Sequence, residues 1–148
     1  MHGWRISKYP GLTGEGGLYA EGRWHSQGHR VIYLGEHPAL ALAETMAHMQ
    51  LDLPNIPTTL KLIRVDIADG ATMDVTPDLP EGWQANEPAT RAIGSAWLKG
   101  GTALLMPVPS AILAHSTNYI INPEHPQAAT HLTESLVEPF FIDQRFFR

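Results

Sequence analysis

Glu44 is the residue whose setting most invites a chemical role. It sits inside Ala39–Leu51, a stretch rich in Ala, Leu, Met and Glu that predicts a helix, and residues 40, 41, 43 and 47 around it are apolar. A carboxylate on a packed surface is costly unless it is paired or used. The alternative is a partly exposed Glu on a polar stripe with Glu36, His37 and His48. Arg5, between Trp4 and Ile6 in a segment that reads as an edge strand, can clamp an anion with two parallel hydrogen bonds or form an ordinary surface ion pair. Arg23, in Gly22-Arg23-Trp24-His25, places a second cation beside an aromatic ring directly after a glycine-rich loop. Tyr19 and Tyr33 can stack on a flat cationic ring, with core packing as the alternative for Tyr33. Ser110 follows the rigid Pro107-Val108-Pro109, which can hold a hydroxyl at one place or simply start a turn.

Other catalytic patterns are missing. There is no GxSxG elbow, no HExxH and no phosphate-loop motif. His25/His29 and Glu44/His48 have the four-residue spacing of helical metal ligands, but the first pair falls in the glycine-rich loop, so no metal site is expected.

These residues need a scaffold, and the punctuation of the chain suggests one. Gly11–Gly28 holds six glycines and predicts a loop with close backbone approaches. Arg30–Leu34 predicts a buried strand, and Pro38 suits the first position of the helix that follows. Thr58–Ile67 alternates as a strand, set off by Pro54 and Pro57. Thr90–Lys99 predicts a helix ending at Gly100-Gly101. Ala103–Met106, Ala111–Ala114, Asn118–Asn122 and Glu138–Ile142 read as further strands, with Asp143–Arg148 a short terminal segment. No repeat or boundary divides the chain, so residues 1–148 predict a single mixed α+β domain.

Bulk properties exclude several classes. A net charge of −5 supplies too little Lys and Arg to hold a nucleic-acid backbone, so no direct nucleic-acid binding is expected. The absence of cysteine removes disulfides and thiolate catalysis and is compatible with a cytoplasmic location. Met1–Gly17 lacks an apolar core and no stretch approaches 18 apolar residues, so neither a signal peptide nor a membrane span is expected.

Taken in order, the fragments Trp4-Arg5-Ile6, Gly22-Arg23-Trp24-His25-Ser26, Val31-Ile32-Tyr33, Ala39–Glu44, Ile93-Gly94 with Trp97, Val108-Pro109-Ser110, Asn118–Pro123 with His125-Pro126, and Pro139-Phe140-Phe141 with Asp143 and Arg145 resemble the RES domain over nearly the whole chain. The resemblance implies a fold similar to ADP-ribosyltransferases, with short strands around an NAD cleft, and a toxin neutralised by an Xre-like antitoxin. It matches Arg5, Glu44 and Ser110 to the Arg, Glu and Ser that name the family, and puts Tyr19 and Tyr33 near the pocket. Asn is expected in many relatives where this chain has His25. The implied substrate is NAD, cleaved at the nicotinamide–ribose bond with water, phosphate or a protein side chain as acceptor. On that reading Glu44 stabilises an oxocarbenium-like centre, Arg5, Arg23 and the glycine loop meet the pyrophosphate, Ser110 orients an amide or ribose hydroxyl, and Tyr33 packs on a ring. A non-catalytic binding module is the alternative from another class.

Overall fold

The computed structural model of the chain describes residues 1–49 and 53–147. The end of the predicted helix at Gln50-Leu51 and the last residue, Arg148, lie outside the described residues. Six strands, β1 (His2–Ser7), β2 (Ile32–Gly35), β3 (Lys61–Ile67), β4 (Leu105–Pro109), β5 (Thr117–Ile121) and β6 (Leu132–Pro139), form one antiparallel sheet in the order β4-β5-β2-β1-β3-β6. With helices α1 (Pro38–Met49), α2 (Glu87–Gly100) and the short α3 (Ala128–His131), the expected mixed α+β class is observed.

The pleat divides the side chains between two faces. Ile32, Leu34, Ile63, Val65, Ile67, Leu105 and Ile121 point to one face and, with Leu104 and Leu132, form one core. Tyr33, Met106, Val108 and Ile120 point to the other, where Trp24, Val31 and Leu98 complete a second core beneath α2. Helix α1 rests on this second face as well. It comes so close to β2 that a Cβ on Gly35 would stand 3.0 Å from the Ala41 backbone nitrogen.

The helix ends follow their capping chemistry. The Asn86 side chain accepts from Ala89 N at 3.2 Å, and Gly101 closes α2 in the left-handed region at φ 63°, its N–H bonding Trp97 O. Asn86 and Pro88 therefore start α2 at Glu87, before the predicted Thr90. Pro107 and Pro109 fit β4 because it is an edge strand.

Three sequence expectations are corrected. The strand carrying Arg5 lies in the interior of the sheet between β2 and β3, not at an edge. Ala111–Ala114 is not a strand but a turn, gathered by Ser110 Oγ, which accepts from Ile112 N and Leu113 N. The last strand is β6, running from Leu132 to Pro139 instead of Glu138 to Ile142. A register shift at Arg64/Val65 pairs Val65 with Glu134 and Ile63 with Val137, which breaks the period of two in its sequence.

Gly94 in α2 faces the backbone of Trp24, and a Cβ there would overlap the Trp24 carbonyl. At an exposed helical site Gly→Ala stabilises by about 1 kcal/mol. Here Gly94→Ala should destabilise by about 3 kcal/mol, which lowers the melting temperature by roughly 6–12 °C. A calorimetric scan checks the sign, and a raised melting temperature would refute the close contact.

Candidate functional site

Helix α1 carries Glu44 over β5. Because Gly35 has no side chain, nothing separates the helix from Asn118, its neighbour on β5 in the same register. Asn118 Nδ2 donates to Glu44 Oε1 at 2.8 Å, and Ser110 Oγ donates to the same oxygen at 2.7 Å. Among the described residues Oε2 accepts no hydrogen bond, and it is not one of the buried atoms left without a partner. The carboxylate is thus half-buried and fixed through one oxygen, with the other open.

Ser110 is itself fully engaged. Its hydroxyl has one proton and two lone pairs. The proton goes to Glu44, and Ile112 N and Leu113 N donate to the oxygen at 3.3 and 3.1 Å. Ser110 thus makes the turn and at the same time holds its hydroxyl at one place, against Glu44.

Tyr33 and His25 form a second network on the same face of the sheet. Trp24 N donates to the Tyr33 hydroxyl at 3.1 Å, and that hydroxyl lies 2.6 Å from His25 Nδ1. His25 Nε2 sits 2.8 Å from the Ala20 carbonyl, which can only accept, so the proton of the neutral ring resides on Nε2 and Tyr33 donates to Nδ1. With both nitrogens occupied and only 3% of the residue exposed, His25 serves packing and not metal ligation. Burial lowers its pKa, opposed by the bond to Ala20, and burial raises that of Tyr33. The network ties the Gly22–His25 segment to β2.

Arg23 belongs to this segment. Its Nη2 donates to the carbonyls of Trp83 and Gln84 at 2.7 and 2.6 Å, its Nη1 is 3.6 Å from Glu87, and the guanidinium lies 5.7 Å from the Trp83 ring centroid. Arg91, unmarked in the sequence analysis, joins it by donating to Gly22 O and Glu87. Tyr19 stands 70% exposed in the glycine loop, its hydroxyl 3.5 Å from Glu15.

Arg5 is not brought to this site. Trp4 pairs with Gly35 on the helix-bearing face, so Arg5, the next residue along, points to the opposite face with its partner Ile63. Its Nη2 donates to the carbonyls of Tyr9 and Gly11 at 3.0 and 2.6 Å and lies 3.6 Å from Glu134, which also accepts from Gly11 N. Burial lowers its pKa and Glu134 opposes the shift. The structure therefore collects Glu44 with Ser110 and Asn118, puts Tyr33 on the same face of the sheet, places Arg23 with Trp83, Gln84 and Glu87, and uses Arg5 to tie down the Tyr9–Gly11 bend. Asn118 was missed, although it sits two residues from Ile120 in a strand and so shares its packed face.

Two expectations follow from these networks. Arg5→Ala should destabilise by about 2–3 kcal/mol by leaving Glu134 and two carbonyls short of a donor, read as a lower urea midpoint; an unchanged midpoint would show that the bend does not depend on it. For His25, the folded state holds the ring neutral while the unfolded chain takes up a proton below about pH 6.5, so acid favours unfolding. Wild-type stability should fall as pH drops from 7.5 to 5.5, by at most about 1.4 kcal/mol per pH unit from this residue. In His25→Asn that component should vanish, and equal pH dependence of the two urea midpoints would contradict the buried neutral ring.

The comparisons with known proteins agree with the order of fragments along the chain. Residues 2–143 match the model of the RES domain. The chain is 42% identical over 144 residues to the protein named Toxin Res of Pseudomonas putida, covering 97% of this chain and 98% of that protein. It is 34% identical over 144 residues to the Prs ADP-ribosylating toxin of Sphingobium sp., covering 93% of this chain and 87% of that one. A chain from the crystal structure of the M. tuberculosis MbcT-MbcA toxin-antitoxin complex has a similar fold, with a TM-score of 0.69 at 19% identity, over 95% of this chain and 84% of that one. With this order of motifs and full-length relatives, the chain belongs to the RES-domain family of toxins.

Proposed function

We propose that this protein is a growth-arresting toxin that cleaves the nicotinamide–ribose bond of NAD. The observation that carries the reading is the Glu44 carboxylate, held through Oε1 by Ser110 and Asn118 while Oε2 accepts no hydrogen bond from the described residues. As the bond from the ribose anomeric carbon to the pyridinium nitrogen breaks, its electron pair leaves with nicotinamide and positive charge grows on the ribosyl centre. A fixed carboxylate interacts more strongly with that charge than with bound NAD, which is the condition for lowering the barrier. Water or phosphate then bonds to the anomeric carbon and loses a proton. Tyr33 and Tyr19 supply aromatic surface for a flat ring. Arg23 and the amides of the glycine loop supply the positive side for the pyrophosphate. Arg5 stays outside this set because its guanidinium serves the opposite face.

A second reading is favoured by the name of the Sphingobium relative. There a protein side chain replaces water as acceptor, and ADP-ribose is transferred. The two share the same bond cleavage and differ only in what meets the anomeric carbon. As partner we propose an antitoxin of the Xre-like kind, in keeping with the toxin-antitoxin complex whose chain shares this fold. An acidic chain leaves DNA contact to that partner.

The test is chromatography of NAD incubated with the purified chain. Nicotinamide should appear as NAD is lost, and Glu44→Gln should slow this about 10²–10³-fold at an unchanged melting temperature. A folded Glu44→Gln protein with the wild-type rate would remove Glu44 from the mechanism. Label from NAD retained on a protein, without free ADP-ribose, would select the second reading.

A further inference from the structure

A carboxylate that must meet a developing charge on one side gains from being held on the other. Glu has three side-chain torsions, and their freedom has to be removed before the group can sit in one working geometry. One donor on Oε1 leaves the carboxylate free to swing about that single bond. Two donors arriving from different elements do not.

Both donors here are rigidly mounted. Ser110 Oγ is fixed by the amides of Ile112 and Leu113, and Ser110 N bonds Ser116 O, closing the turn beneath it. Asn118 is paired within the sheet on both sides, with Val108 on β4 and Gly35 on β2. The bare Gly35 lets α1 descend until Glu44 reaches the amide. Neither donor touches Oε2.

We infer that Asn118 is a positioning residue for Glu44: with Ser110 it fixes Oε1, so that Oε2 is the oxygen turned to the substrate. The inference deepens the NAD-cleaving reading and rests on it for its catalytic consequence. It also changes the part of Ser110, whose hydroxyl is already committed to Glu44 and to its own turn and so acts on the substrate through the carboxylate.

The experiment uses the whole chain with Asn118→Leu, close in volume but without the donor, and Asn118→Ala in case the leucine does not fold. For each, kcat and KM of nicotinamide release are measured beside the melting temperature and the NMR order parameter of the Glu44 Cγ methylene; Glu44→Gln runs in parallel. Losing one donor to a charged group predicts a fall in kcat of roughly 10- to 100-fold, with KM changed less than about twofold and a lower order parameter at Glu44. A residue that only supported the fold would change the melting temperature and leave both readouts of the folded protein alone. Wild-type kcat in a folded Asn118 variant, or an unchanged order parameter, overturns the inference. If Glu44→Gln itself keeps the wild-type rate, the functional reading falls separately, and the order parameter alone then decides whether Asn118 positions the carboxylate.

Discussion

The close approach of α1 to β2 at Gly35 is the constraint on which the site depends. A side chain at position 35 would hold the helix further off the sheet, because even a Cβ there would stand 3.0 Å from the Ala41 backbone nitrogen. Removing one side chain from the sheet lets the backbone of Ala41 come down over Gly35. The same descent brings Glu44, three residues further along, within hydrogen-bond distance of Asn118. Gly35 is needed for the space it leaves and not for its own conformation, because it carries no positive φ. The carboxylate then comes from α1, and its two donors from the turn after β4 and from β5, which the β4–β5 pairing holds together.

The second division of labour follows from the pleat. One face of the sheet carries the aliphatic core, and at its margin Arg5 is paired with Glu134 and two carbonyls. The other face is mixed. There Trp24, Tyr33 and His25 are joined in a single chain of donors and acceptors that leaves no buried valence open, which is the condition under which polar groups belong in a core. That chain holds the end of the glycine-rich loop against β2, so a segment rich in glycine carries Arg23 on a fixed mount.

Local signals in the sequence were good guides to elements and weaker guides to faces. Pro38 and the run after it mark α1, and Gly100-Gly101 mark the end of α2, because caps and breakers act within one turn. Glu44 stood out since its helical neighbours are apolar. Strand β6 was misplaced because its alternation is interrupted by the register shift at Arg64/Val65, a property of the pair and not of either strand. The side to which Arg5 points was equally hidden. It depends on Trp4 lying opposite Gly35, and so on how β1 enters the sheet, which residues 1 to 7 do not specify. Asn118 was more accessible: a polar side chain two positions from Ile120 is set on a packed face and requires a partner there.

The arginines differ in what it costs to redirect them, and this decides which of them an anion can use. Arg5 is held by two backbone carbonyls and a carboxylate, its Nε is buried without a partner, and freeing it would strand Glu134 in a poorly solvated place. Breaking such a buried arrangement is expensive. Arg23 is likewise held by two backbone carbonyls with its Nε buried and unpartnered, so the difference lies in the carboxylate: Arg23 and Arg91 share Glu87, whose side chain is 53% exposed against 18% for Glu134, and Arg91 also reaches the 58% exposed Glu21. Ion pairs with exposed carboxylates contribute about 0–1 kcal/mol, because water solvates the released carboxylate nearly as well. A pyrophosphate with two negative charges can displace Glu87 at little cost and bond the same guanidinium groups. What an anionic ligand can take over cheaply is therefore the place of Glu87 between Arg23 and Arg91, while the place of Glu134 beside Arg5 is closed to it by burial.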